Sequence, residues 1–173
     1  MNHIRKMFEA TIADLLGKNQ ICAQFPLVVA IETLNRGFKP RYFLGWNGSP
    51  TCMKSGKCDT IPILSDKKEQ LCYPAHAEVR AIAKAAREGF KLDGSTIYMS
   101  AWFPCAACAE SIIEAGISRI ITPDKIYSDE DFVLVPELRD SGLYRFEMAE
   151  KLLKDAKISI ITVPEIRPVI KRK

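Results

Sequence analysis

Residues 95–122 read STIYMSAWFPCAACAESIIEAGISRIIT, and this stretch decides the fold. The segment STIYMSA predicts a strand, because it is rich in β-branched and aromatic residues. Cys105 to Ala115 predict a helix that ends at Gly116, and SRIIT predicts a second strand closed by Pro123. A strand, a helix and a strand in this order are typical of a crossover unit with two parallel strands. The centre of the chain therefore predicts an α/β fold.

The flanking sequence continues the same alternation. The segment NHIRKMFEATIADLLGK (residues 2–18) has apolar residues at helical spacing and ends near Gly17, so it predicts a first helix. FPLVVAIETL and RYFLGW, separated by the turn signal NRGFKP, predict a strand pair. His76 to Glu88 and residues 143–156 predict two more helices, and KISIITV predicts a last strand. Residues 47–74 show no clear periodicity and predict a long loop. The whole pattern indicates a layered α/β domain with a partly parallel sheet.

Length and composition fit a single globular domain over residues 1–173. The chain is 47% hydrophobic and 27% charged, which permits a substantial core. We find neither a signal segment nor an apolar run near the roughly 18 to 20 residues of a membrane span, so we expect a cytosolic protein without membrane contact. The net charge of +4 favours anionic substrates without choosing among them. The basic end IRPVIKRK is typical of a solvated terminus.

Six cysteines, at positions 22, 52, 58, 72, 105 and 108, indicate metal binding or catalysis, because disulfides are improbable in a reducing cytosol. Cys105 and Cys108 are three positions apart at a predicted helix start, so both sulfurs can reach one point. His76 is a candidate third ligand. Three nitrogen and sulfur ligands leave a zinc ion one open position, as in catalytic sites. Glu78 can lie beside that metal and move protons. The alternative is a purely structural zinc site.

The segments HAE (76–78) and PCAAC (104–108) match the H-x-E and P-C-x-x-C signature of zinc-dependent nucleobase deaminases. Further segments resemble the deoxycytidylate (dCMP) deaminase branch of that family: GWNGSP, HAEVRAI, IYMSAWFPCAAC, SIIEAGISRII and DKIYSDED. The resemblance implies an α-β-α fold with a five-stranded mixed sheet flanked by helices. It also implies a zinc-dependent enzyme of nucleotide biosynthesis that converts dCMP to dUMP and ammonia, and a homo-oligomer.

The resemblance also implies roles for individual residues. His76, Cys105 and Cys108 would bind zinc. Glu78 would take a proton from the attacking water, deliver it to ring atom N3 and help to protonate the leaving amine. Asn47 would hold the deoxyribose. The base would be framed by the Ala77 backbone, Trp102 and Phe103.

A phosphate contact is expected from Arg87, eleven residues and about three helical turns after His76. Arg80, one turn from His76, is the competing candidate, although asparagine is common there in the family. The basic stretch that usually follows the position of Cys22 is also replaced, here by AQFPLVVAI. Both departures leave the exact substrate open.

Each substrate contact has a simpler alternative. Asn47 precedes a glycine and can be an ordinary turn residue. Trp102 and Phe103 can be core aromatics at a strand end. A helix arginine such as Arg87 is usually solvated or ion-paired on the surface.

The remaining cysteines, Cys22, Cys52, Cys58 and Cys72, are enough for one tetrahedral site. Some members of the dCMP branch carry an extra zinc near these positions, so a second, structural zinc is one interpretation. Four unpaired thiols are the other, because the spacing is irregular.

Two further function classes stay open. One is a polynucleotide or tRNA base deaminase, which would need a basic, aromatic groove; nucleic acid is not the partner we expect. The other is a non-catalytic zinc-binding regulatory protein of the same fold.

Overall fold

A computed structural model describes residues 1–22, 26–33, 39–48, 76–101, 103–123 and 145–169. These ranges contain a five-stranded mixed sheet of β1 (Val28–Thr33), β2 (Arg41–Trp46), β3 (Thr96–Met99), β4 (Arg119–Thr122) and β5 (Ser159–Thr162). They also contain the helices α1 (Asn2–Gly17), α2 (Ala77–Arg87), α3 (Ala106–Glu114) and α4 (Phe146–Asp155), and a 3₁₀ helix over Pro164–Ile166. The α/β fold class predicted from the sequence is confirmed.

The strand order is β2-β1-β3-β4-β5. β1 pairs antiparallel with both β2 and β3, whereas β3 with β4 and β4 with β5 are parallel. The parallel neighbours β3 and β4 are connected through α3, as a parallel pair requires. The register aligns Ile97 with Ile120 and Ile120 with Ile160, so apolar residues run in a row across the sheet.

Helices cover both faces of the sheet. On one face, α1 places Ile4, Phe8, Ile12 and Leu15 in a core that also holds Val28, Ala30, Tyr98 and Ile166. On the other face, α2, α3 and α4 pack against residues of β1 to β4, including Ile31, Ile97 and Ile120. All four residues of β3 are buried, which explains why its sequence is apolar or weakly polar throughout. The result is a three-layer α-β-α arrangement.

The predicted elements match the observed ones within a few residues. α2 begins directly after His76, and Gly89 follows it with a φ of +74°, a conformation that glycine adopts without strain. The 3₁₀ helix was not predicted, because three residues are too few for a periodic pattern. Most of the predicted loop over 47–74 lies outside the described residues, so it stays a prediction, as does the single domain over 1–173.

In the part of the chain that the structure describes, no helix has both the length and the apolar composition needed to cross a lipid bilayer.

Candidate active site

Both zinc motifs lie at helix starts, at the end of the sheet where β2 and β3 finish and β1 begins. His76 is the N-cap of α2 and Cys105 is the N-cap of α3, both with extended backbone. Cys108 follows in the first turn of α3. This arrangement agrees with the helix starts that the sequence predicted.

The three predicted metal ligands lie together. His76 Nδ1 is 3.2 Å from Cys108 Sγ and 3.4 Å from Cys105 Sγ. The three donor atoms all lie within 4.8 Å of one another. Zinc bonds of about 2.0 to 2.3 Å in a tetrahedron separate such donors by about 3.6 to 3.8 Å. Small side-chain adjustments therefore suffice for one nitrogen and two sulfurs to hold a zinc ion.

The electrostatics of the cysteine pair suit a cation. A hydrogen bond from the Cys108 thiol and another from His76 lower the pKa of Cys105 to about 4. The shared hydrogen bond and burial raise the pKa of Cys108. The pKa of His76 is raised, chiefly by its hydrogen bond with Cys105. A thiolate is thus favoured even without metal, at a helix start where the macrodipole adds to the effect.

Glu78 is deeply buried beside this cluster, with 3% of its surface exposed. Burial raises the pKa of its carboxyl group, which opposes the charged form. Among the described residues, no group donates a hydrogen bond to its Oε2 atom. A buried carboxyl oxygen without a partner is costly, so its retention is typical of a group that meets a ligand or a reacting proton.

Gly45 of β2 lets the start of α2 approach the sheet. A Cβ atom at Gly45 would lie 2.6 Å from the backbone nitrogen of Ala81 and closer still to the carbonyl oxygen of Ala77. Only glycine therefore fits below the turn that carries His76 and Glu78. Gly45 was not among the residues predicted to form the site, although a glycine inside a strand is a known sign of close backbone approach.

The segment before Cys105 is fixed to β1. Ser100 is fully buried; its Oγ accepts a hydrogen bond from Val28 N–H at 2.9 Å, and its own N–H donates to the Val28 carbonyl. Phe103 is 4% exposed and belongs to the core beneath α2 and α3, which supports the alternative of a core aromatic. Ala77 is fully buried against β2. Trp102 lies outside the described residues, so its contact with the base stays a prediction.

Asn47 directly follows β2 and is held by the backbone around it. Its Oδ1 accepts a hydrogen bond from Leu27 N–H at 2.9 Å, and its N–H donates to the Leu27 carbonyl at 3.1 Å. Its carbonyl accepts a hydrogen bond from Cys22 N–H at 3.1 Å. The proposed deoxyribose contact stays a prediction.

Three basic residues form a row on α2 at helical spacing: Arg80, Lys84 and Arg87. Arg80 Nη2 donates to the Gly48 carbonyl at 2.7 Å. Lys84 Nζ donates to the Leu44 carbonyl at 2.7 Å and lies 3.5 Å from the centre of the Trp46 ring. Arg80 and Lys84 are thus hydrogen-bonded to the β2 segment, whereas Arg87 is exposed.

The second proposed zinc site is described only at Cys22, which is partly exposed and donates its N–H to Asn47. Cys52, Cys58 and Cys72 lie outside the described residues. The second zinc therefore stays a prediction.

A three-layer α-β-α fold in which one histidine and two cysteines converge from two helix starts defines a domain with a candidate zinc site. Residues 10–123 of the chain match the cytidine and deoxycytidylate deaminase zinc-binding region. The match includes the three residues of the cluster, Glu78 and Gly45. The chain belongs to the cytidine and deoxycytidylate deaminase family.

Individual relatives agree with this assignment. Deoxycytidylate deaminase of Enterobacteria phage T4 is 28% identical over 123 residues, which cover 66% of this chain and 61% of that protein. A probable deoxycytidylate deaminase of Drosophila melanogaster is 35% identical over 97 residues, 50% of this chain and 44% of that protein. The chain thus spans about half to three fifths of these relatives' length.

The fold resembles that of dCMP deaminase from the cyanophage S-TIM5, solved in complex with dCMP and dUMP. The TM-score is 0.56 at 16% sequence identity, and the likeness covers 94% of this chain and 98% of that one. At this identity the likeness establishes the fold, including the predicted five-stranded mixed sheet.

Proposed function

We propose that this chain is a zinc-dependent hydrolase that deaminates a cytosine nucleotide, with dCMP converted to dUMP and ammonia. The observation that carries the proposal is the convergence of His76, Cys105 and Cys108 beside the buried carboxyl group of Glu78. Family membership supports deamination, and the names of the phage and insect relatives support dCMP as the substrate.

The donor set fits the metal and the reaction class. Three protein donors leave a tetrahedral zinc ion one position for chemistry, and zinc bound in this way lowers the pKa of water to near 7. His76 would hold the ion from the start of α2, and Cys105 and Cys108 would hold it from the start of α3. A site of this kind differs from a structural one, in which four protein donors complete the tetrahedron.

Glu78 supplies the proton transfers. Its carboxylate accepts a proton from the attacking water, delivers it to atom N3 of the cytosine ring and assists protonation of the departing amino group. Burial raises the pKa of Glu78, which brings the group closer to the working pH of a general acid and base. The Glu78 carboxyl group lies two residues after His76, so the same turn of α2 positions both the ligand and the proton carrier.

An activity panel tests the proposal. Zinc-loaded protein is assayed for ammonia release with cytosine, deoxycytidine, dCMP, dCTP and a short single-stranded DNA, and the highest kcat/KM is expected for dCMP. Preference for the single-stranded DNA, with binding that weakens steeply as salt rises, would favour the polynucleotide deaminase. Failure to release ammonia from every substrate at full zinc loading would favour the regulatory protein.

The homo-oligomer and the cytosolic compartment stay predictions from the sequence. Size-exclusion chromatography with light scattering measures the first, and localisation of a tagged full chain measures the second.

A further inference from the structure

We propose that Arg80 is a positioning residue, which clamps the Gly48 carbonyl to the helix turn of the metal site and thereby sets where Asn47 meets the substrate. The inference rests on the proposed function, because it concerns the nucleoside part of that substrate. It differs from the phosphate contact for which Arg80 is a candidate in the sequence.

Arg80 connects the two sides of the site. Its backbone N–H donates to the carbonyl of His76 at 3.1 Å, within the first turn of α2. Its guanidinium crosses to the end of β2 and donates to the buried residue Gly48 at 2.7 Å. One residue therefore joins the turn that bears the metal ligand to the segment that bears Asn47.

The Gly48 carbonyl is the atom through which Arg80 holds that segment. Asn47 is fixed on its other sides by Leu27 and Cys22, so Gly48 is where the chain leaves this hydrogen-bonded frame. Gly48 has a φ of 147°, a conformation that side-chain-bearing residues rarely adopt. Without the guanidinium, the Gly48 carbonyl loses its donor, and the segment that bears Asn47 loses its hydrogen bond to α2.

The neighbouring cation provides a matched comparison. Lys84 lies one turn further along α2, is also partly buried and also donates to a carbonyl of the β2 segment at 2.7 Å. Its partner, Leu44, is in the middle of β2, farther from Asn47. Lys84 connects α2 to β2, and Arg80 connects it to the segment directly after β2. If both contacts are purely structural, the two substitutions should have similar effects. If Arg80 is a positioning residue, only its substitution should change substrate binding.

The test compares Arg80→Met, Arg80→Lys and Lys84→Met with the unmodified chain. Zinc content, Tm and steady-state kinetics are measured with dCMP and deoxycytidine. Arg80→Met is expected to raise KM about tenfold for both substrates, because the segment that bears Asn47 loses its hydrogen bond to α2. kcat and zinc content should change much less, as expected when uniform binding is lost. Arg80→Lys should recover part of the loss, and Lys84→Met should lower Tm without changing KM.

Two kinetic results would overturn the inference. A KM increase confined to dCMP would make Arg80 a direct phosphate ligand, and a lower Tm with unchanged KM would leave it a structural residue like Lys84. Hydrogen exchange of the backbone gives a readout independent of turnover: Arg80→Met should speed exchange at Cys22 and Asn47, whereas Lys84→Met should not. If the unmodified protein deaminates neither substrate, the proposed function fails, and the exchange result still decides whether Arg80 holds the segment.

Discussion

Replacement of Gly45 by alanine tests whether the close approach of β2 to α2 sets the geometry of the catalytic cluster. The added methyl group would meet the Ala77 carbonyl, the Ala81 nitrogen at 2.6 Å and the Ala81 Cβ at 2.9 Å. The contacted atoms belong to the backbone or to a Cβ, so no flexible side chain can yield. Carbon atoms settle at about 3.5 to 4.0 Å, and the start of α2 must therefore move by about 1 Å.

That displacement also moves the proposed metal ligand His76 and the proposed proton carrier Glu78, because the same turn bears both residues. A shift of about 1 Å in a reacting group can cost about 10²-fold in rate. Overpacking at such a contact also destabilises the fold by about 1 to 3 kcal/mol. Gly45→Ala is thus expected to lower kcat/KM for dCMP by about two orders of magnitude and to reduce zinc affinity and Tm.

The assay measures ammonia release, zinc content and thermal unfolding of Gly45→Ala beside Gly17→Ala. Gly17 ends α1, and a Cβ there would meet nothing within 4 Å, so its replacement controls for the loss of a glycine as such. Gly17→Ala should leave activity unchanged and stability equal or slightly higher. Near-normal turnover and zinc binding in Gly45→Ala would refute the link between this contact and the cluster.

Four further substitutions probe the site. Glu78→Gln should keep its zinc and its fold but lose about 10² to 10⁴ in kcat, and near-normal turnover of this variant would exclude a role of Glu78 in proton transfer. Cys105→Ser should instead lower zinc content and activity together. If Cys22, Cys52, Cys58 and Cys72 form a second site, elemental analysis should approach two zinc ions per chain, and Cys58→Ser should remove one. A ratio of one that this substitution leaves unchanged would mean that these four cysteines bind no zinc. Arg87→Ala should lower kcat/KM for dCMP about ten- to a hundredfold, because a charge-assisted contact with the phosphate is lost, and should leave the activity on deoxycytidine nearly unchanged. Equal losses of kcat/KM on dCMP and deoxycytidine would indicate that Arg87 acts in folding only.

The order of helices and strands could be predicted because each element has a clear pattern of its own. In α1, Ile4, Phe8 and Ile12 recur at helical spacing, and all three are buried. The strands β3 and β4, which α3 connects, are short and mostly apolar, as expected for parallel strands in a sheet that is covered by helices on both faces. The face that each helix covers was not predictable, because periodicity identifies an apolar stripe without naming its partner.

The metal cluster could be predicted for a related reason. Cys105 and Cys108 are joined by a short helical turn, and His76 opens the helix that carries Glu78, so local geometry already limits where these side chains can meet. Long-range contacts carry no such local signal. The hydrogen bond from Arg80 to Gly48 joins residues 32 positions apart and depends on how α2 lies along β2. The fit at Gly45 likewise depends on atoms of α2 that sequence patterns do not place.

This difference explains how a deaminase site can keep its chemistry while its substrate contacts vary. The ligands and Glu78 start from two helix turns, whose positions follow from the sheet and from the contact at Gly45. Asn47 instead lies at the end of an edge strand and depends on separate hydrogen bonds to Leu27, Cys22 and, through Gly48, to Arg80. A change at position 80, where this chain has arginine and resembling deaminases commonly have asparagine, can therefore shift substrate alignment without disturbing a metal ligand. Substitution of Gly45 should change zinc content, whereas substitution of Arg80 should change KM without changing zinc content. The reason is that separate contacts position the metal ligands and Asn47.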